Sequence, residues 1–145
     1  MKKFNYKFES IQKIKKTQEK QAQKEVATID LEIEKWKEKR GRLLIEAKTA
    51  RDEFPFENIT VSDIAFHKNH QLVMKRMIED TNQQISSLQL SREKKMTELL
   101  ERSRESKMYE ILKEKHLDIF VKEQDKIELS QIDEFATQKY VRGER

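Results

Sequence analysis

The sequence contains no cysteine, one proline, two glycines and one tryptophan among 145 residues. Lack of cysteine excludes a disulfide framework, a cysteine-zinc site and a thiol nucleophile, and it suits a reducing cytosol. Glycines only at Gly41 and Gly143 leave no phosphate-cradling loop. Neither a Gly-x-Ser-x-Gly elbow nor a Walker-type lysine is present. No apolar run approaches the ~18 residues of a membrane-spanning helix. Met1-Lys2-Lys3-Phe4 is not followed by the apolar core of a signal peptide. These absences predict a soluble protein that is not exported through a cleaved signal.

Charge is what the chain has in abundance. Charged residues make up 40% of it and the mean hydropathy is −0.97. Such a chain cannot enclose a thick spherical core, but it can bury a narrow seam. Net charge is only +4, and the excess lies at the start, where residues 1–24 hold eight lysines against Glu9 and Glu19. A basic end is compatible with an acidic partner or nucleic acid, but lysines on a helix are ordinarily a solvated face. No zinc finger, RNP motif or basic-zipper run accompanies them, so nucleic acid is disfavoured.

Apolar residues recur at alternating steps of three and four. In the first half they fall at Ala22, Val26, Ile29, Ile33, Trp36, Leu43, Ala47, Ala50 and Phe54, with Arg40 as the one polar member. This seven-residue period is the signature of a left-handed supercoil. Upstream, Phe8, Ile11 and Ile14 continue the stripe, but 18, 22 and 26 are spaced by fours, a stutter. Phe54-Pro55-Phe56 ends the first helix, because Pro55 has no N–H and disfavours helix in the residue before it. Thr60-x-x-Asp63 has the spacing of a capping box with Asp in place of Glu. Beyond it Ile64, His67, Gln71, Met74, Ile78, Thr81, Ile85 and Leu88 resume the rhythm. The stripe weakens through Arg102-Ser103-Arg104, then returns at Met108, Tyr109 and Leu112.

The fold predicted is all-α: two long helices in an antiparallel left-handed coiled-coil hairpin, the second longer than the first. It is expected to be a single domain over 1–145, with helix 1 at about 4–53, a turn at 54–61, helix 2 at about 62–139 and a frayed tail at 140–145. The seam is assigned to Val26, Ile29, Ile33, Trp36, Leu43, Phe54, Ile85 and Leu88. If the turn centres near residue 58, position i faces roughly 116 − i, which sets Phe4 beside Leu112 and leaves everything beyond Leu112 without a partner. That segment still carries Ile119, Phe120, Val121, Ile127, Leu129, Ile132 and Phe135. A lone helix with an apolar stripe is marginal in water, so the arithmetic implies a missing partner.

No catalytic constellation is visible, and an open helix pair encloses no site that would shift carboxylate pKa values. The chain is therefore read as non-enzymatic, with no cofactor, no metal and no small-molecule substrate. His67 and His70 near Asp63 have a spacing that one helix face offers a metal, but they read more simply as seam-edge and exposed histidines. Trp36 and the methionines Met74 and Met96 are read first as seam residues.

The two ends carry a resemblance. Phe4-x-Tyr6-x-Phe8-Glu9-x-Ile11-x-x-Ile14 resembles the opening of the FliJ family of flagellar export proteins. Asp133-Glu134-Phe135-Ala136, after a Lys/Glu/Gln-rich helix, resembles the segment with which that family closes. The length, the break near residue 55 and the lack of cysteine fit as well. One departure is the weak stripe at 102–106. The resemblance implies a cytoplasmic part of the flagellar type III export apparatus, peripheral to the membrane, serving flagellum biogenesis and motility. It implies a shape like the central stalk of rotary ATPases, and partners in the export ATPase hexamer, the cytoplasmic domain of the export gate and export chaperones. On that basis Phe4, Phe8, Ile11, Phe120, Ile127, Asp133, Glu134 and Phe135 are candidates for meeting the ATPase. Leu72, Met74 and Ile78 are candidates for meeting the gate. Two alternatives remain open: a structural coiled coil that homodimerises through its overhang, and a basic helix pair that binds nucleic acid.

Overall fold

The computed structural model describes residues 2–143. Among them two helices account for the regular structure and there is no strand. Helix α1 spans Glu9–Asp52 and helix α2 spans Val61–Val141. They pack together as an antiparallel helical hairpin, and α2 is the longer. Of the tail assigned to 140–145, Tyr140 and Val141 are helical, and residues 144 and 145 lie outside the described part.

The connection is built from local chemistry. Pro55 keeps the chain out of helix after Asp52. Asn58 takes a left-handed φ of 55°, which asparagine tolerates better than most residues. Thr60 then caps α2: its hydroxyl accepts from the Asp63 N–H at 3.2 Å, and its own N–H donates to the Asp63 carboxylate at 2.9 Å. The reciprocal pair satisfies two donors that a helix start leaves orphaned. The Thr60 N–H, with the Thr60 hydroxyl adding to it, holds the Asp63 carboxyl below its usual pKa. At the other terminus of α2, Gly143 takes φ 69° and its N–H reaches the Tyr140 carbonyl at 3.2 Å, a glycine stop of the kind a left-handed residue permits.

The chain divides into two compact units, Lys20–Leu100 and Met1–Glu19 with Glu101–Arg145. In the Lys20–Leu100 unit the seam is apolar. Ala22, Val26, Ile33, Leu43, Ala47, Met74 and Ile85 are buried, and so is Thr81, whose hydroxyl donates back to the Met77 carbonyl at 2.7 Å. Ile29, Trp36, Phe54 and Leu88 are half-buried. Leu43, Ala47 and Met74 form a cluster against which Ile78 packs. Polar pairs flank the seam: the Arg92 guanidinium on the Asp30 carboxylate, Lys95 on Glu25 at 3.0 Å, and Arg40 on the Asn82 amide oxygen at 3.1 Å. Gly41 sits inside α1, and a Cβ there would meet nothing within 4 Å.

These pairs correct the expected register. Asp30 was to face residue 86 and instead meets Arg92, six positions on; Glu25 meets Lys95, four beyond expectation. The reason lies in the turn. Phe54 already stacks on His67, with ring centroids 4.1 Å apart, so the first turn and a half of α2 lies beyond the level of Phe54.

The unit formed by both chain ends is held differently. Its described seam is polar where the stripe weakened. Arg102 donates to the Gln18 side chain at 3.1 Å, Ser103 to Glu19 at 3.2 Å, and Lys15 to Glu105 at 2.9 Å, while Ser106 is buried at 2% exposure. The Lys15 ammonium keeps the Glu105 carboxyl below its usual pKa. Thus the stutter near Gln18 and the apolar gap at Arg102–Ser106 sit at one level and satisfy each other by hydrogen bonds. The division between the units falls there too.

Candidate functional site

Residues 2–8 are not helical, which moves the start of α1 from the expected residue 4 to Glu9. Phe4, Tyr6 and Phe8 alternate with polar residues, a period of two that places them on one face only if the chain is extended. Residues 2–6 have no regular structure, and Lys7–Phe8 turn into α1 with the Glu9 N–H donating to the Tyr6 carbonyl at 3.2 Å, yet all three aromatics face α2. Phe4 meets Phe120 with centroids 5.5 Å apart. Tyr6 and Phe8 both meet His116, at 5.7 and 6.1 Å, and Phe8 also meets Tyr109 at 6.4 Å. From Phe120 to Tyr109, α2 covers roughly 16 Å at 1.5 Å per residue. Four helical residues would span only about 6 Å, so the non-helical stretch before the turn at Lys7–Phe8 lets the aromatics reach further along α2. Residues 2–8 therefore form an aromatic strap laid along α2.

Tyr6 anchors the strap. It is 4% exposed, and its hydroxyl donates to the Tyr109 carbonyl at 3.0 Å. Burial, reinforced by the neighbouring Tyr109, pushes its phenol pKa up. Tyr6, Tyr109 and His116 were not among the candidate residues. The signal that could have found them was the period-two spacing of the opening aromatics.

The strap changes where the unpartnered segment begins. Phe4 packs on Phe120 rather than beside Leu112, so α2 is covered eight residues further than expected. Phe120 is half-buried by the strap and is not part of the free stripe. Beyond it Ile127, Leu129, Ile132 and Phe135 are 47–65% exposed. Glu128, Gln131, Ile132, Phe135, Ala136 and Lys139 line a shallow, mostly apolar groove, with the Lys139 ammonium 5.8 Å from the Phe135 ring centroid. Asp133 and Glu134 are exposed and make no ion pair among the described residues. Ile11 is 38% exposed on α1. Of the residues assigned to the ATPase, the structure thus brings Phe4, Phe8 and Phe120 together and leaves Ile127, Asp133, Glu134 and Phe135 on the uncovered helix.

The residues assigned to the gate separate. Leu72 is 56% exposed, but Met74 is 3% exposed and Ile78 packs on its cluster. Met74 and Ile78 are seam residues, and only Leu72 offers a surface. Near the turn, Ala50, Phe54, Phe66, His67 and His70 line a second groove. His67 is engaged by Phe54, and no group of three or more metal-ligating side chains occurs among the described residues.

Three of the eight N-terminal lysines lie against carboxylates: Lys13 pairs with Glu9 at 3.9 Å, Lys15 with Glu105 at 2.9 Å and Lys16 with Glu110 at 3.4 Å. No helix among the described residues is long and apolar enough to cross a membrane. No curated protein and no solved structure matches the chain. A family model described as "Flagellar FliJ protein" matches residues 4–145, from the first aromatic of the strap past the end of α2. The match takes in both ends that carried the resemblance and nearly the whole hairpin, so the chain belongs to the FliJ family, whose members are components of flagellar protein export.

Proposed function

We propose that this protein is a non-catalytic, stalk-like adaptor of flagellar type III export, working on the cytoplasmic side of the membrane. In this reading it inserts the end built from the strap and the C-terminal part of α2 into the hexameric ring of the export ATPase. It also serves the export gate and export chaperones. The observation that supports it is the stretch of α2 beyond Phe120. Ile127, Leu129, Ile132 and Phe135 stay 47–65% exposed on a helix with no partner element there among the described residues. An apolar stripe of that length is what a helix keeps when a second protein covers it. Leu72, exposed on the other unit, is the residue offered to the gate. Pairing of Lys15 and Lys16 with Glu105 and Glu110 of α2 removes part of the charge that nucleic-acid binding would use.

Mixing the protein with its ATPase and following oligomerisation and turnover tests the reading. Promotion of the hexamer and a change in turnover are expected. An unchanged ATPase would overturn it. Sedimentation of the protein alone separates the alternative: a tight dimer through the overhang would assign the stripe to a second copy instead.

A further inference from the structure

The unit built from the two chain ends buries little. Among its described residues only Tyr6 and Ser106 are buried, whereas the Lys20–Leu100 unit buries Val26, Ile33, Leu43, Met74 and Ile85 along one seam. What else joins residues 2–19 to α2 is polar or half-buried. Lys15 and Lys16 hold Glu105 and Glu110 with side chains 26–56% exposed, and Arg102 and Ser103 reach Gln18 and Glu19. Water replaces such bonds at little net cost. Phe4, Phe8 and Phe120 are half-buried. Tyr6 is the exception, with a buried ring and a hydroxyl that donates to the Tyr109 carbonyl at 3.0 Å. That carbonyl lies inside α2, where the helix already supplies it with a donor, so departure of Tyr6 orphans nothing on α2.

We propose that this unit is a latch. Residues 2–19 leave α2 as one piece, while the apolar seam that begins at Ala22 stays closed. Tyr6 is the bolt that sets how often the latch opens. Regions with few buried apolar contacts are the ones that open without global unfolding, and here that region is continuous from the strap to the polar layer at Gln18 and Arg102. Once open, α2 is a single helix from Glu101 to Val141, roughly 60 Å at 1.5 Å per residue. Tyr109, His116 and Phe120 then become exposed in addition to Ile127 and Phe135. A closed latch therefore hides part of the surface of a helix that is bare further on. The proposal rests on the difference in burial between the two units and does not depend on what covers the overhang.

Amide hydrogen exchange of the intact protein tests the latch. Ser106–His116 lies far from either end of α2, so fraying of helix ends does not reach it. Lys13–Glu19 and Ser106–His116 should exchange through one shared opening, about tenfold or more less protected than Val26–Leu43 and Met74–Ile85. Raising salt should widen the gap by screening Lys15–Glu105 and Lys16–Glu110. Tyr6→Phe keeps the ring and should lower protection of the first two stretches about fivefold. Tyr6→Ser should lower it further and leave Val26–Leu43 and Met74–Ile85 unchanged. Because the chain has no cysteine, Lys3→Cys with Glu123→Cys places a spin-label pair across the strap. Glu46→Cys with Arg76→Cys places one across the apolar seam, and all four sites are exposed. In Tyr6→Ser the first distance should lengthen and the second should stay. Equal protection of all four stretches in the parent would overturn the proposal, as would a strap distance that stays short in Tyr6→Ser. So would a response of Lys13–Glu19 without Ser106–His116, or lengthening of both distances together, which would mean that the hairpin opens as a whole.

Discussion

Replacing Met74 with alanine separates a seam residue from a contact residue. Met74 is 3% exposed and packs with Leu43, Ala47 and Ile78. Met74→Ala removes three heavy atoms from that cluster. At about 0.8 kcal/mol per buried methylene-sized group the transfer loss is about 2.4 kcal/mol. A cavity contribution adds to it, since core Met→Ala changes cost about 2–5 kcal/mol. The seam of a helix pair is one side chain deep and can partly close, which favours the lower end, about 2.5–3 kcal/mol. Leu72→Ala, two positions away and 56% exposed, should stay within about 0.5 kcal/mol of the parent. Urea unfolding followed by far-ultraviolet circular dichroism reads both. With a slope of about 2 kcal/mol per molar, Met74→Ala lowers the midpoint by a little over 1 M while leaving the slope unchanged. If Met74→Ala and Leu72→Ala shift the midpoint equally, Met74 is not a core residue and the register described here is wrong.

Other consequences follow from single sites. Gly41→Ala adds a Cβ that meets nothing within 4 Å in the middle of α1. It should therefore stabilise by about 0.5–1 kcal/mol, visible as a higher unfolding midpoint. The Gln71 Nε2 is buried without a hydrogen-bond partner, so Gln71→Leu should stabilise by about 1 kcal/mol; a loss would mean the amide is satisfied. Thr60→Ala should cost about 1 kcal/mol through loss of the α2 cap. The depressed pKa of Asp63 adds a pH signature. The carboxylate contributes stability fully above its ordinary pKa of 3.8, and that contribution fades as pH falls through the lower folded value. Asp63→Asn, which removes the titrating carboxyl, should flatten that acid-side dependence in a pH series of thermal melts, whereas Thr60→Ala keeps the backbone N–H that lowers the pKa most and should only weaken it.

Much of the fold was legible because it rests on local rules. The three-and-four rhythm from Val26 to Leu43 identifies the buried face of α1 without reference to its partner. Pro55 and Thr60-x-x-Asp63 mark the break with short-range chemistry alone. What the rhythm cannot supply is where one helix meets the other. That depends on the path of Glu53–Thr60, set by Asn58 and by Phe54 settling on His67, and it moved the pairing by four to six residues. The strap was legible in principle, since Phe4-x-Tyr6-x-Phe8 alternates with a period of two, but the helical stripe beginning at Phe8 absorbed it. The apolar gap at Arg102–Ser106 has a physical reading only with both helices in view. Arg102 and Ser103 hydrogen-bond to Gln18 and Glu19, across from the stutter, and no pattern in either helix by itself announces that exchange.

The uncovered part of α2 carries the account. The measurement that tests it most directly is the affinity of the export ATPase for the protein and for the triple variant Ile127→Ser, Ile132→Ser, Phe135→Ser, read by sedimentation. Helix content and the unfolding midpoint of the hairpin serve as controls, because all three side chains are exposed. A variant that folds as the parent does but no longer joins the ATPase, with amide exchange over residues 125–141 slowed by the ATPase only in the parent, is the predicted result. A variant that binds as tightly as the parent would contradict it.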